Sequence, residues 1–192
     1  MDRENMQYRM IGMENIQTRD DDDTPRIEGY FSVYNSIYQI TSDMSESIDA
    51  GAFSDSIGGD VRALINHDTT LVLGRTAAHT LELRDDSHGL WGSITVNRND
   101  SDAMNLYERV KRGDVSGCSI GFAIIKEETD IRDDDSVHFT IKQAELFEVS
   151  PCTFPAYKET TISARAAQRD EIRKRRSDEW SEKQKERIRK WH

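Results

Sequence analysis

The chain has 192 residues, 26 Lys and Arg against 36 Asp and Glu for a net charge of −10, 35% hydrophobic and 32% charged residues, and two cysteines. This suits one domain with an appendage, built as a small barrel or sandwich with polar tails and loops, and argues against a large multilayer fold. Two cysteines exclude a disulfide framework, no apolar run approaches bilayer-spanning length, and Met1-Asp-Arg-Glu-Asn5 lacks the regions of a signal peptide, so a cytosolic protein with no membrane contact is expected.

Residues 1–25 are polar, contain the acidic run Asp20-Asp-Asp-Asp23, and read as a flexible N-terminal segment. After Pro25 the pattern predicts a strand over residues 26–34, with Ile27, Phe31 and Val33 on one face. Residues 47–53 read as a strand end followed by a short helix. The apolar run Val61-Arg-Ala-Leu-Ile65 then leads to Asn66-His67-Asp68, so a strand ends by presenting an imidazole. Strands around residues 79–84 and 89–96 flank Asp85-Asp-Ser-His88, a turn composition, and form a hairpin.

Ala103, Leu106, Tyr107 and Val110 follow helical spacing, with Asp100 or Ser101 as cap and Gly113 as stop. Beyond it, apolar Cys118, Ile120, Phe122 and Ile124 alternate with small Ser119, Gly121 and Ala123, giving a strand with one packed face and one open face. Residues 126–136, with Asp130, Asp133, Asp134 and Asp135, read as a mobile acidic loop. A return strand over 137–149 follows, and Pro151 and Pro155 are expected to end its pairing. The fold class expected from these elements is β-rich α+β.

Composition shifts near Ala164. Residues 165–192 carry 11 Lys and Arg against 6 Asp and Glu, a net of +5, while the preceding part carries −15. Ile172, Trp180, Ile188 and Trp191 are spaced too widely for a continuous core face, which predicts a solvated or partner-dependent helix. Interleaved acids and an acidic domain weigh against nucleic-acid binding. The boundaries expected are a flexible segment over 1–25, a domain over 26–163 and a charged helical tail over 164–192.

Ser119, flanked on its own face by Gly121 and Ala123, is the candidate nucleophile, since a substrate backbone has room to lie beside it. Ser116 falls with Cys118 on the packed parity. Five histidines, at 67, 79, 88, 138 and 192, match no metal-ligand spacing, and only His67 closes an apolar run. A surface hydroxyl and a hydrogen-bonded imidazole are the ordinary reading of a lone serine and a lone histidine.

The order of motifs outweighs that reading. Gly51-Ala-Phe53, Asp60-Val-Arg-Ala-Leu-Ile-Asn-His-Asp68, Leu73-Gly-Arg-Thr76, Gly113-Asp-Val-Ser-Gly-Cys-Ser-Ile-Gly-Phe122 and Leu146-Phe-Glu-Val-Ser-Pro-Cys-Thr-Phe-Pro-Ala-Tyr157 together resemble the prohead (capsid maturation) protease family of tailed bacteriophages. The resemblance implies a serine endopeptidase on an assemblin-like closed or partly open β-barrel, with few surrounding helices and a C-terminal helical tail. It implies His67 as general base and Ser119 as nucleophile. Where assemblins have a second histidine the matching block offers Glu148, whose parity sets it opposite Phe147 and Val149; Asp68 is the alternative, and Glu145 and His138 rank lower.

Oxyanion donors stay open between backbone N–H groups of residues 119–122, those of residues 155–158, and Arg75, which could equally pair with a nearby acid. No cofactor or metal is expected. The implied substrates are the phage major capsid protein and its scaffold (delta) domain, together with the chain itself near residues 164–169, inside the assembling prohead in the host cytoplasm. Two other readings remain: a thiol hydrolase built on Cys118 and His67, and an inactive assembly or scaffold-binding module of the same fold.

Overall fold

The computed structural model describes residues 6–11, 16–21, 24–154 and 158–190. In chain order its elements are β1 (Gln7–Ile11), β2 (Ile16–Asp21), β3 (Thr24–Val33), β4 (Tyr38–Thr41), β5 (Met44–Ile48), β6 (Arg62–Ile65), β7 (Asp68–Arg75), β8 (Leu81–Asp85), β9 (Gly89–Thr95), α1 (Ser101–Arg112), β10 (Gly117–Ile131), β11 (Val137–Cys152) and α2 (Lys158–Lys190). They fall into two compact units, Met1–Tyr157 with the strands and α1, and Lys158–His192 with α2.

The strands make two sheets, as a β-rich α+β chain should. The smaller runs β2-β3-β9-β8 and the larger β1-β10-β11-β5-β4, with β6 also on β11 and β7 outside β6. Neither sheet closes into a barrel, so the closed form of the expected β-barrel is not found and two open sheets take its place. One core joins them: Ile27, Phe31, Leu90 and Ile94 from the small sheet meet Ile120, Phe122, Ile141 and Val149 from the large one. The Cys118 thiol also donates to the Tyr30 carbonyl at 2.9 Å, linking β10 to β3. Ile27 and Phe31 are fully buried, while Val33 is only partly so, because a bulge between Tyr30 and Ser32 shifts the parity.

The spine is β11. One edge pairs with β10 along its length; the other pairs in parallel first with β5, from Val137 opposite Met44, and then with β6, where Glu148 lies opposite Arg62. Helix α1 forms as its local signals dictate. Asp100 accepts from the N–H groups of Asp102 and Ala103, a cap worth about 1 kcal/mol, Gly113 ends the helix at φ +86°, and Ala103, Leu106, Tyr107 and Val110 are buried. The β8–β9 hairpin also forms as expected, its turn held by Asp86 accepting from the N–H groups of His88 and Gly89.

Other expectations are corrected. Within the first 25 residues β1 and β2 pair into the two sheets, although Asp22 and Asp23 lie outside the described residues. After β5 the chain makes successive turns and no helix, with Gly51 at φ +79° interrupting any helical run. The acidic stretch is mostly strand: β10 continues to Ile131, opposite Val137, and only residues 132–136 turn. Its carboxylates are solvated while its backbone is paired. Pairing also survives Pro151, which lies opposite Cys118 and offers its carbonyl to the Asn66 N–H at 3.1 Å; Pro155 is outside the described residues. Strand β7 had no counterpart in the sequence reading.

Candidate active site

The β6–β7 hairpin turns through Asn66 and His67 alone, with Ile65 opposite Asp68. Both turn residues are left-handed, at φ +50° and +63°, which is the two-residue geometry that matches strand twist, and Asn and His tolerate it better than most side chains. Three bonds dock this turn on the end of β11: Asn66 N–H to the Pro151 carbonyl at 3.1 Å, His67 N–H to Ser150 Oγ at 3.3 Å, and Thr153 N–H to Asn66 Oδ1 at 2.9 Å.

The docked turn lays the His67 ring over Glu148, with Nδ1 2.6 Å from Oε1 and side-chain exposures of 16% and 5%. The second carboxylate oxygen of Glu148 accepts from Ser150 Oγ at 2.5 Å. Across the ladder Glu148 faces Gly121, where a Cβ would stand only 2.5 Å from Oε1, so the missing side chain is the seat of the carboxylate.

Ser119 lies opposite Ser150, which places it on the same sheet face as Glu148 and Gly121. Its hydroxyl is fully buried and donates to the Arg9 carbonyl of β1 at 2.8 Å. The expected open face is therefore filled, by Glu148, Ser150 and the His67 turn, with β1 along the edge of β10. Among the described residues no hydrogen bond joins Ser119 to His67. The Tyr8 ring of β1 sits against the imidazole with centroids 4.3 Å apart.

His67 Nε2 points toward Cys152 Sγ at 3.7 Å. Burial, and then the neighbouring charge of Glu148, push the Cys152 thiol up to about 12; burial pushes Cys118 up to about 12 as well. Both stay neutral thiols at physiological pH.

Of the other residues singled out, Asp68 is exposed and accepts from the hydroxyl and backbone N–H of Thr70 at 2.6 and 2.8 Å, which lowers its pKa. His138 is elsewhere, between the hydroxyls of Ser45 and Ser47 on β5. Arg75 pairs with Asp60 at 2.6 and 2.7 Å, and that bond holds the Asp60 carboxyl down at about 2. Residues 155–157 lie outside the described residues. Sequence reasoning missed Ser150, although it shares the parity of Glu148, and it missed Tyr8 and Arg9, which no periodicity marks.

A model of the caudovirus prohead serine protease family matches residues 14–175. The chain belongs to this family. It is 29% identical over 141 residues to the prohead protease of Enterobacteria phage HK97, an overlap covering 71% of this chain and 60% of the relative, so less than two thirds of that relative's length is represented. Its fold is similar to that of the bacteriophage T4 capsid assembly protease, gp21, with a TM-score of 0.52 over 79% of this chain and 98% of the other. At 12% identity that likeness concerns the fold alone. The family implied by the motif order is thus the one found, and the mostly β fold with a C-terminal helix is that of a capsid assembly protease, with its sheets not closed into a barrel. No helix among the described residues is long and apolar enough to cross a membrane.

Proposed function

We propose that the chain is a serine endopeptidase that cleaves the major capsid protein, its scaffold (delta) domain and the protease chain itself within the assembling prohead, in the host cytoplasm. The observation that supports this most is the 2.6 Å contact between His67 and Glu148 on the sheet face that also carries Ser119. In the proposed reaction Ser119 Oγ attacks the carbonyl carbon of a peptide as His67 Nε2 takes its proton, and Glu148 holds the Nδ1–H and stabilises the imidazolium. The C–N bond breaks as the imidazolium protonates the leaving amine. Water, deprotonated by His67, then attacks the acyl-enzyme, releases the new carboxyl terminus and restores the serine. Because Arg75 is held by Asp60, the oxyanion is assigned to backbone N–H groups, those of residues 119–122 or 155–158.

Co-expression with the capsid protein tests the assignment. Ser119→Ala and His67→Ala should each reduce cleavage by about 10⁴-fold or more, and Glu148→Gln by less, since an amide still accepts a hydrogen bond. Cys152→Ala should cleave normally despite its place beside Nε2, because its thiol is un-ionised. A fully active Ser119→Ala, or an inactive Cys152→Ala, would overturn the serine route. Absence of cleavage by the unaltered chain, with no labelling of Ser119 by a fluorophosphonate probe, would favour the inactive assembly module.

A further inference from the structure

We propose that Ser150 is a positioning residue: its hydroxyl fixes which way the Glu148 carboxylate faces, and through that carboxylate it keeps the His67 imidazole in the form that takes a proton. The proposal deepens the catalytic reading above and rests on it. Ser150 is fully buried, on the same face of β11 as Glu148 and across the ladder from Ser119. It bonds to both halves of the His67–Glu148 pair, its Oγ donating to Glu148 Oε2 at 2.5 Å and accepting from the His67 N–H at 3.3 Å. Among the described residues no other group donates to Oε2.

The valences decide the arrangement. A serine hydroxyl has one hydrogen to give and two lone pairs to offer. Its hydrogen lies on a carboxylate oxygen, a charge-assisted bond in the short range for O–H···O⁻ contacts. One lone pair then faces the backbone that carries the imidazole. With Oε2 held in this way, Oε1 is left to meet Nδ1 at 2.6 Å. A carboxylate only accepts, so Nδ1 carries the ring hydrogen and Nε2 keeps the lone pair that a general base needs. Without the hydroxyl, Oε2 is a buried acceptor with no donor, and the carboxylate turns about its last bond to seek one. The imidazole then settles in part with its hydrogen on Nε2, a tautomer that cannot take the serine proton. Ser150 holds no reacting atom in the proposed reaction, so its loss should slow the chemical step and leave the binding of a reactant almost unchanged.

The test is the labelling of Ser119 by a fluorophosphonate in the full chain, with the maximal rate and the half-saturating concentration read separately. Ser150→Ala should lower the maximal rate at least about tenfold and move the half-saturating concentration less than about threefold. Ser150→Thr keeps the hydroxyl and should label within about threefold of the unaltered chain. In a Glu148→Ala background, Ser150→Ala should slow labelling by less than about twofold, because no carboxylate is left for the hydroxyl to hold. A tenfold loss that persists in that background, a Thr variant as slow as the Ala one, or an Ala variant labelled at the ordinary rate would overturn the proposal. Where Ser150→Ala lacks a thermal transition, Ser150→Cys decides, since a thiol fills the space and is only a weak donor. A folded Cys variant should be slowed like the Ala one; an ordinary rate, or a Cys variant that also fails to fold, would overturn the positioning role. No labelling of the unaltered chain, or full labelling of His67→Ala, would instead overturn the catalytic reading, and this one with it.

Discussion

Replacing one hydrogen atom of Gly121 by a methyl group should move a carboxylate on the neighbouring strand. A Cβ there would lie 2.5 Å from Oε1 and 3.0 Å from Cγ of Glu148, both on a buried side chain. Gly121→Ala is therefore expected to push Glu148 off its seat, lengthen its contact with His67 and reduce proteolysis at least about tenfold, with about 1–3 kcal/mol of destabilisation from overpacking. Gly58→Ala, where nothing lies within 4 Å, serves as the control and should leave cleavage rate and Tm unchanged. The alternation of small residues at 119, 121 and 123 was legible, and so was the space beside Ser119. What fills the space was not, because parity tells which residues share a face and says nothing of what the next strand sets against them. His67 and Glu148 were legible for the complementary reason: each is marked locally, one by a strand end and one by parity. Their meeting depends on a parallel pairing of β6 with β11 that no local pattern encodes.

Element by element, legibility follows the range of the interactions. Helix α1 was readable in full because its cap, apolar stripe and stop all lie within 14 residues, from Asp100 to Gly113. Strands β1 and β7 were not, since their side chains are mixed and their pairing partners distant or unmarked. The two strands that build the site also carry the two thiols, and this gives them a measurable alkaline weakness. Cys118 on β10 and Cys152 on β11 have folded-state pKa values raised from the ordinary 9.0 to about 12, in both cases chiefly by burial. The unfolded chain thus ionises first. The stability these protonated thiols contribute is complete below about pH 9 and is lost as pH rises through about 12. Buried Tyr34, raised in the same direction, adds to the fall. Thermal unfolding followed from pH 8 to 11 should show a declining Tm, and a Cys118→Ala, Cys152→Ala double variant should decline less steeply; parallel curves would show that the thiols do not govern it.

At the scale of the whole molecule the division falls between Tyr157 and Lys158, a few residues before the compositional change at Ala164. Charge marks where a solvated surface begins, whereas a helix starts where its backbone bonds do. The proposed self-cleavage region, residues 164–169, lies within α2, so a cut there requires that turn of helix to open first. On α2, Trp180 and Ile188 are 64% and 63% exposed, apolar surface suited to a partner such as scaffold or capsid protein. A chain ending at Tyr157 should cleave a soluble peptide within about twofold of the full chain and be packaged less into assembling shells; normal packaging would remove α2 as the address. The long span between paired strands has a separate consequence, for the order of events during synthesis. Because β11 is the common neighbour of β10, β5 and β6, and Ser45 on β5 meets its partner only at His138, the large sheet lacks its central strand until the ribosome nears the end of the third quarter of the chain. His67 is made early and waits, as part of an unsupported hairpin, for Glu148 to emerge. On the proposed catalytic reading, a chain that stops short of Glu148 therefore lacks the contact that orients His67.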